Sequence, residues 1–222
     1  MNELQPVRHA GISKRSVFVF DDLLDRHHLP ALVDIVQGAG FTRTEAARPE
    51  TAAYKHAVAE FDLERVRDLP IYSPTVRAIA SAFAGSYLLY RAYCNAASVG
   101  DMLFTHTDCR PDQVAVTALW YLCTHWDVEW GGETLFFDET GDAGDCIAYP
   151  ASMFHRVSKV TRGTRLAGVM WVQSTVRDPS YREILHELGS VLGSVRESGA
   201  AGPYTDRLHR SYWNLLRLWA DP

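Results

Sequence analysis

Lysine is almost missing from this chain: Lys14, Lys55 and Lys159 are the whole complement among 22 basic residues. No segment gathers cations densely enough to neutralise a run of phosphates, so a nucleic-acid partner is not expected. The formal net charge of -5 is mild. Cysteine is also scarce. Cys94, Cys109, Cys123 and Cys146 stand far apart with no C-x-x-C pair, which excludes a zinc ribbon or a thioredoxin-type motif. They are expected to be buried free thiols in a reducing compartment. Long apolar runs are lacking as well: Val17 to Phe20 is far too short for a secretory leader or a membrane span, so the expectation is a cytoplasmic protein without a membrane partner. The chain contains no internal repeat and no low-complexity tract.

What is present is the balance of a globular protein, with 47% hydrophobic and 22% charged residues in 222. That length fits a single domain over 1–222. Its expected parts are an N-terminal helical support (1–85), a core (about 86–175) and C-terminal helices (178–220). Asp21 and Asp22, the apolar positions from Leu23 to Ile35, and Gly38 read as cap, stripe and stop of a first helix bent at Pro30. Residues 41–69 lose the pattern and read as short edge strands with a loose connection. A second helix is expected from Ser73 to Phe83. From Tyr87 to Gln173 the segments become short, β-branched or aromatic, and punctuated by Gly, Asp and Pro, which predicts seven or eight strands in a barrel or two-sheet jelly roll. Helical spacing then returns in two stripes, Tyr181 to Val195 and Leu208 to Trp219, both suited to a sheet face.

His106-Thr107-Asp108 lies on one of these strands, where residues two apart share a face, so imidazole and carboxylate can reach one ion. His-x-Asp alone is a weak signal. His155 opens a later strand and can supply a third ligand from across the barrel, although a lone histidine there is equally at home in a core. Two histidines and a carboxylate leave three positions open, which suits non-heme iron(II) with a bidentate cosubstrate and oxygen; structural zinc would want a closed shell. Ten residues on, Arg165 shares a strand face with Ala167, Val169 and Trp171. A guanidinium on such an interior wall needs a carboxylate partner, and a dicarboxylic cosubstrate would supply one.

The stretch from Tyr93 to Asp138 resembles the hypoxia-type prolyl hydroxylases: Tyr93-Cys94-Asn95, His106-Thr107-Asp108, Val116 to Leu122, and Trp130-Gly131-Gly132-Glu133-Thr134-Leu135. The later stretch is similar to the bacterial PKHD-type hydroxylases: Ala148-Tyr149-Pro150-Ala151-Ser152, His155-Arg156-Val157, Val160 to Arg165, Trp171-Val172-Gln173-Ser174, Arg177-Asp178, and the ending Asn214 to Ala220. Both are branches of the 2-oxoglutarate- and iron-dependent oxygenases of the prolyl 4-hydroxylase superfamily, and the likeness covers roughly residues 86 to 220. It implies a mainly β fold with flanking helices, the double-stranded β-helix or cupin-like jelly roll. It further implies His106, Asp108 and His155 as iron ligands, and Arg165 on the distal carboxylate of 2-oxoglutarate. By the same resemblance Tyr121 binds that carboxylate, Thr117 and Tyr93 line the pocket, and ascorbate is a candidate reductant. The segment Cys109 to Gln113 matches neither branch and lies by the expected substrate mouth.

The reaction so implied is hydroxylation of an unactivated C–H with release of succinate and carbon dioxide. Related halogenases lack the carboxylate that Asp108 provides, which favours hydroxylation, with desaturation and ring closure left open. The expected substrate is a small molecule or a free or carrier-bound amino acid; a protein prolyl residue is the nearest rival. A non-catalytic metal or 2-oxoglutarate sensor is the rival of another class, and a zinc hydrolase or cupin-type isomerase a weaker one. His27, His28, His186 and His209 read as solvated or capping residues. His125 is a candidate for a substrate or outer contact. Arg91 and Asn95 share a strand face with Tyr93 at the mouth, and His56 and Tyr54 fall in the irregular early segment that could cover the site. The stripe with Trp213 and Trp219 leaves a homodimer open.

Overall fold

The computed structural model describes residues 8–12, 15–20, 23, 25–44, 54–83, 87–108, 115–123, 126–136, 139–140, 146–199 and 202–220. Thirteen strands are found among them: β1 (Arg8–Ile12), β2 (Arg15–Phe20), β3 (Thr42–Arg43), β4 (Tyr54–Lys55), β5 (Ala57–Glu60), β6 (Tyr87–Ser98), β7 (Met102–His106), β8 (Ala115–Tyr121), β9 (Thr134–Phe136), β10 (Glu139–Thr140), β11 (Cys146–Pro150), β12 (His155–Val157) and β13 (Thr164–Ser174). They form an eight-stranded sheet in the order β1-β2-β11-β8-β13-β6-β5-β3 and a five-stranded sheet in the order β10-β9-β12-β7-β4. This is the double-stranded β-helix anticipated from the resemblance.

The large sheet is buried on both faces, which is why its strands read as nearly continuous apolar runs. One face carries Phe18, Phe20, Leu89, Ala92, Cys94, Ala118, Trp120, Met170 and Val172. Against it pack α1 (Leu29–Gln37), α2 (Leu63–Arg67) and α3 (Tyr72–Phe83), through Leu32, Val36, Val66, Ala78 and Ile79. Trp120 Nε1 donates to Thr75 Oγ1 at 3.1 Å, so the one polar atom of the largest core residue finds its partner on α3. The other face, with Val19, Tyr93, Leu119, Ile147, Tyr149, Ala167 and Val169, looks into the space between the sheets.

Several expectations need correction. The first helix starts at Leu29, after a short 3-10 turn (Arg26–His28), and Pro30 occupies its first turn, where the missing N–H costs nothing, instead of bending it. Val17 to Phe20 is a strand of the large sheet, so the N-terminal third contributes strands as well as helices. Residues 57–60 extend the sheet beside β6. At the C-terminus α4 (Pro179–Glu197) buries Leu185 and Leu192, whereas α5 (Pro203–Trp219) has no buried residue and packs along α4, with Tyr181 stacked on Trp219 at 4.4 Å. Its stripe serves a helical hairpin, not a sheet face. Among the described residues no helix is long and apolar enough to cross a membrane. Cys94 and Cys146 are buried free thiols and Cys123 is partly buried; burial pushes Cys94 up to about 12, which keeps it unreactive. Cys109 and His125 lie outside the described residues.

Candidate metal centre and cosubstrate pocket

Antiparallel pairing of β7 with β12 sets His106 directly opposite His155. Each ring is oriented by its own backbone in the same way: Nδ1 of His106 meets the Phe104 carbonyl at 2.7 Å, and Nδ1 of His155 meets the Met153 carbonyl at 3.1 Å. A carbonyl only accepts, so both Nδ1 atoms carry the proton and both Nε2 atoms present lone pairs. These point at one carboxylate oxygen: Asp108 Oδ1 is 3.6 Å from His106 Nε2 and 3.7 Å from His155 Nε2. The other oxygen, Oδ2, accepts from Thr117 Oγ1 at 2.7 Å and from Tyr149 Oη at 3.0 Å. Three ligand atoms within 4.8 Å of one another thus face a common point.

Electrostatics at this cluster follow from packing. Burial opposes the charged form of Asp108, but the His106 contact, His155 and the Thr117 hydroxyl outweigh it and hold the carboxyl below its ordinary range. Burial pulls His106 down as well; its contact with Asp108 and the Phe104 carbonyl reverse that and raise it. For His155, burial prevails and the imidazole is lowered. Asp108 is therefore held ionised and His155 neutral, and coordination of a cation by all three needs His106 neutral as well.

Arg165, on β13, is 1% exposed. Its Nη2 donates to Thr134 Oγ1 at 3.2 Å, Tyr121 Oη donates to the same hydroxyl at 2.9 Å, and the guanidinium lies over the Tyr121 ring at 5.0 Å. Nε and Nη1 are buried and have no partner among the described residues. The turn before β9 makes room for it. Gly131 and Gly132 have φ of 72° and 77°, and a Cβ on Gly132 would come within 2.9 Å of Arg165 Cδ. Gly132 is thus a steric condition for burying the arginine, and Gly131 for the close approach of the Lys159 carbonyl.

The chain matches the family model of the 2OG-Fe(II) oxygenase superfamily over residues 90–173. A PKHD-type hydroxylase of Hyphomonas neptunium is 46% identical over 97 residues, 41% of this chain and 43% of that protein, so the match spans less than half of that relative. A PKHD-type hydroxylase of Acaryochloris marina is 31% identical over 228 residues, 92% of this chain and 100% of that protein. The chain belongs to the PKHD-type hydroxylases, within the 2OG-Fe(II) oxygenase superfamily. Solved structures agree on the fold of this PKHD-type chain. A Pseudomonas putida prolyl-4-hydroxylase superimposes with a TM-score of 0.55 at 15% identity, over 73% of this chain and 94% of that one. The 2-oxoglutarate-dependent epimerase SnoN of nogalamycin biosynthesis does so at 0.58 and 14%, over 72% and 78%. Iron(II) and 2-oxoglutarate are the family's cofactors, and the donor set and the orphaned guanidinium fit them.

In this PKHD-type chain His106, Asp108, His155 and Thr117 come together in one cluster, and Arg165 and Tyr121 meet at the Thr134 hydroxyl in a second. Tyr93 and Thr117 fall on the Asp108 side: burial and the nearby Asp108 charge push the Tyr93 phenol up, and Thr117 touches the carboxylate itself. Asn95 is buried with Oδ1 unpartnered, and Arg91 lies over the rings of Tyr93 and Trp171 at 4.4 and 4.6 Å. Sequence reasoning missed the roles of Thr134 and Tyr149, although both stand inside segments it quoted. The signal was parity: Tyr149 shares a face with Ile147, and Thr134 follows the glycine pair. His56 was placed in a possible cover, yet it is 6% exposed and held down to about 4 by burial, with His106 nearby.

Proposed function

We propose that the protein hydroxylates an unactivated C–H of a small molecule, most simply a free or carrier-bound amino acid, with release of succinate and carbon dioxide. In this reading His106 Nε2, His155 Nε2 and Asp108 Oδ1 hold iron(II). Arg165 anchors the distal carboxylate of 2-oxoglutarate, with the Tyr121 and Thr134 hydroxyls beside it, and Thr117 and Tyr93 line the pocket. One observation carries it: a guanidinium with two orphaned nitrogens and no carboxylate near it among the described residues, within electrostatic range of a two-histidine, one-carboxylate cluster whose histidines belong to the other sheet. An unpaired buried charge is strongly unfavourable, and a bound dicarboxylate is the partner that removes the penalty.

Iron and cosubstrate together supply the oxidising chemistry when bound. The chain's own work is orientation. The Phe104 and Met153 carbonyls fix the two imidazoles in the ligating tautomer, while Thr117 and Tyr149 hold Oδ2 so that Oδ1 faces the metal position. Phe136 and Tyr149 pack edge-on at 5.0 Å beside His155 and keep water from that flank. Ascorbate remains a candidate reductant.

At the far side of Tyr93, Glu60 of β5 and Arg91 of β6 form an ion pair on adjacent strands, 56% and 38% exposed. An accessible anion and cation side by side match the ammonium and carboxylate of an amino acid, and this favours that class over a prolyl residue inside a protein, whose backbone charges are absent. The test is succinate release with iron(II), 2-oxoglutarate and a panel of amino acids, their carrier thioesters and proline-containing peptides. Turnover dependent on a free or carrier-bound amino acid is expected. Turnover with peptides alone would replace this substrate class by the protein one, and tight 2-oxoglutarate binding with no turnover on any substrate would point to a sensor.

A further inference from the structure

Residues 54–60 do something the sequence pattern conceals: they cross from one sheet to the other. Tyr54 and Lys55 pair with Leu103 and Met102 of the small sheet, whereas Ala57 to Glu60 pair with Ala96 to Tyr93 of the large one. His56 sits at the crossing, in the corner where the two sheets meet. Val58 packs on the inner core and Glu60 pairs with Arg91, so the face that also holds His56 is the one lining the cavity. One step along the register from Ala57 opposite Ala96 brings His56 beside Ala97, and Ala97 pairs with Arg165 on its other side. His56, in the bend just before the ladder begins, is within electrostatic range of Arg165, and the strand position between them carries only the Ala97 methyl.

The residue is firmly held. Its carbonyl accepts from both the backbone N–H and the hydroxyl of Thr44, each at 3.0 Å. Arg43, next to Thr44, grips Asp101 with two hydrogen bonds of 2.7 and 2.8 Å, tying this edge to the turn between β6 and β7. Yet the ring that this clamp positions has a buried Nδ1 with no partner, although His106 and Arg165 lie within electrostatic range. Asn95, two residues from Ala97 on the same strand face, has its buried Oδ1 unpartnered as well. Buried polar groups left unmade are costly, and here three residues around one spot, His56, Asn95 and Arg165, share the fault. A ligand rich in oxygen between them would accept from His56 and Arg165, whereas the Asn95 Oδ1 is itself an acceptor and calls for a donor.

We infer that His56 is a cosubstrate-binding residue, its ring N–H donating a hydrogen bond to 2-oxoglutarate held by Arg165. This rests on the pocket proposed above. A core role would have closed the ring against carbon or given each nitrogen a protein partner; a cover role would have left it exposed. A neutral imidazole flanking a dianion adds a donor without adding charge next to the metal cluster.

The test is calorimetric titration of 2-oxoglutarate into the full chain loaded with manganese(II), which is redox-inert here. His56→Phe, which keeps bulk and loses the donor, is expected to bind roughly 10- to 100-fold more weakly, the range of a hydrogen bond to a charged group. Manganese affinity stays unchanged and His56→Gln recovers most of the loss. Arg165→Met is measured alongside. Undiminished binding by His56→Phe while Arg165→Met has lost it overturns the inference alone; undiminished binding by both overturns the pocket. Should His56→Phe not fold, nitrogen-15 spectra of the zinc-loaded wild type decide: a His56 ring N–H that becomes protected from exchange on adding 2-oxoglutarate supports the contact, and an unchanged one refutes it.

Discussion

Two arginines of the large sheet, Arg165 on β13 and Arg91 on β6, have opposite surroundings. Arg165 is 1% exposed, donates to the Thr134 hydroxyl, lies over the Tyr121 ring, and among the described residues leaves two nitrogens unpartnered. Arg91 is stacked on Tyr93 and Trp171 and paired with Glu60, and it is only partly buried. A charge at the surface is satisfied cheaply by a neighbour and by water; a charge in the interior without a neighbour is held for a ligand. The histidines of the candidate metal cluster belong to the smaller sheet. In the proposed reading Arg165 serves the cosubstrate, the same in every turnover, and Arg91 whatever is hydroxylated.

The comparison breaks most completely at the candidate metal cluster. Asp108→Ala or His106→Ala is expected to abolish manganese binding in a metal titration and to lower turnover by more than the roughly 100-fold typical of outer positions. Unchanged metal affinity and succinate formation in His106→Ala would remove the ligand assignment. Next comes Arg165→Met. Loss of a buried charge-assisted contact of ~2–5 kcal/mol should weaken 2-oxoglutarate binding by about two orders of magnitude. The thermal midpoint of the cosubstrate-free protein should hold or rise, because an unpaired buried charge has been replaced by an apolar side chain. A fall of several degrees would show that Arg165 is structural.

Gly132→Ala tests the Arg165 site without touching a polar group. A methyl at φ 77° and 2.9 Å from Arg165 Cδ must displace the arginine, with strain of about 1–3 kcal/mol and a midpoint lowered by about 2–4 °C for each kcal/mol. Weaker cosubstrate binding should accompany it. On β6, Arg91→Gln should raise the KM for substrate about tenfold while leaving 2-oxoglutarate affinity alone; a change in the cosubstrate term instead would erase the division between the two arginines. The smallest effect is in pH. His56 falls from 6.5 in the unfolded chain to about 4 when folded, so the unfolded state binds its proton first. Stability is full above about pH 6.5 and declines toward pH 4, by at most ~3 kcal/mol. In metal-free protein, denaturant titrations should show a shallower decline over that window for His56→Gln.

The candidate metal cluster was legible from spacing: His106 closes β7 and Asp108 lies two residues on, just past the strand's end, with His155 opening another strand. Arg165 was legible from its apolar companions at 167, 169 and 171. Tyr149 and Thr134 were hidden because their importance lies in what they touch across the sheets, Asp108 in one case and Arg165 in the other, and sequence spacing carries no cross-strand register. His56 was hidden for a different reason. Its strands are two and four residues long and belong to different sheets, too short for either to show its period. The first helix began late because an apolar strand precedes it directly, and α5 showed an apolar stripe whose partner, α4, carries one too; periodicity reports that a face is covered and not by what.

The most direct measurement is a crystal structure of the protein grown with manganese(II) and 2-oxoglutarate in the absence of oxygen. The account predicts one ion bonded to His106 Nε2, His155 Nε2 and Asp108 Oδ1, and a distal carboxylate on the nitrogens that Arg165 leaves unpartnered. An ion seated elsewhere, or a cosubstrate whose distal carboxylate avoids Arg165, would contradict it.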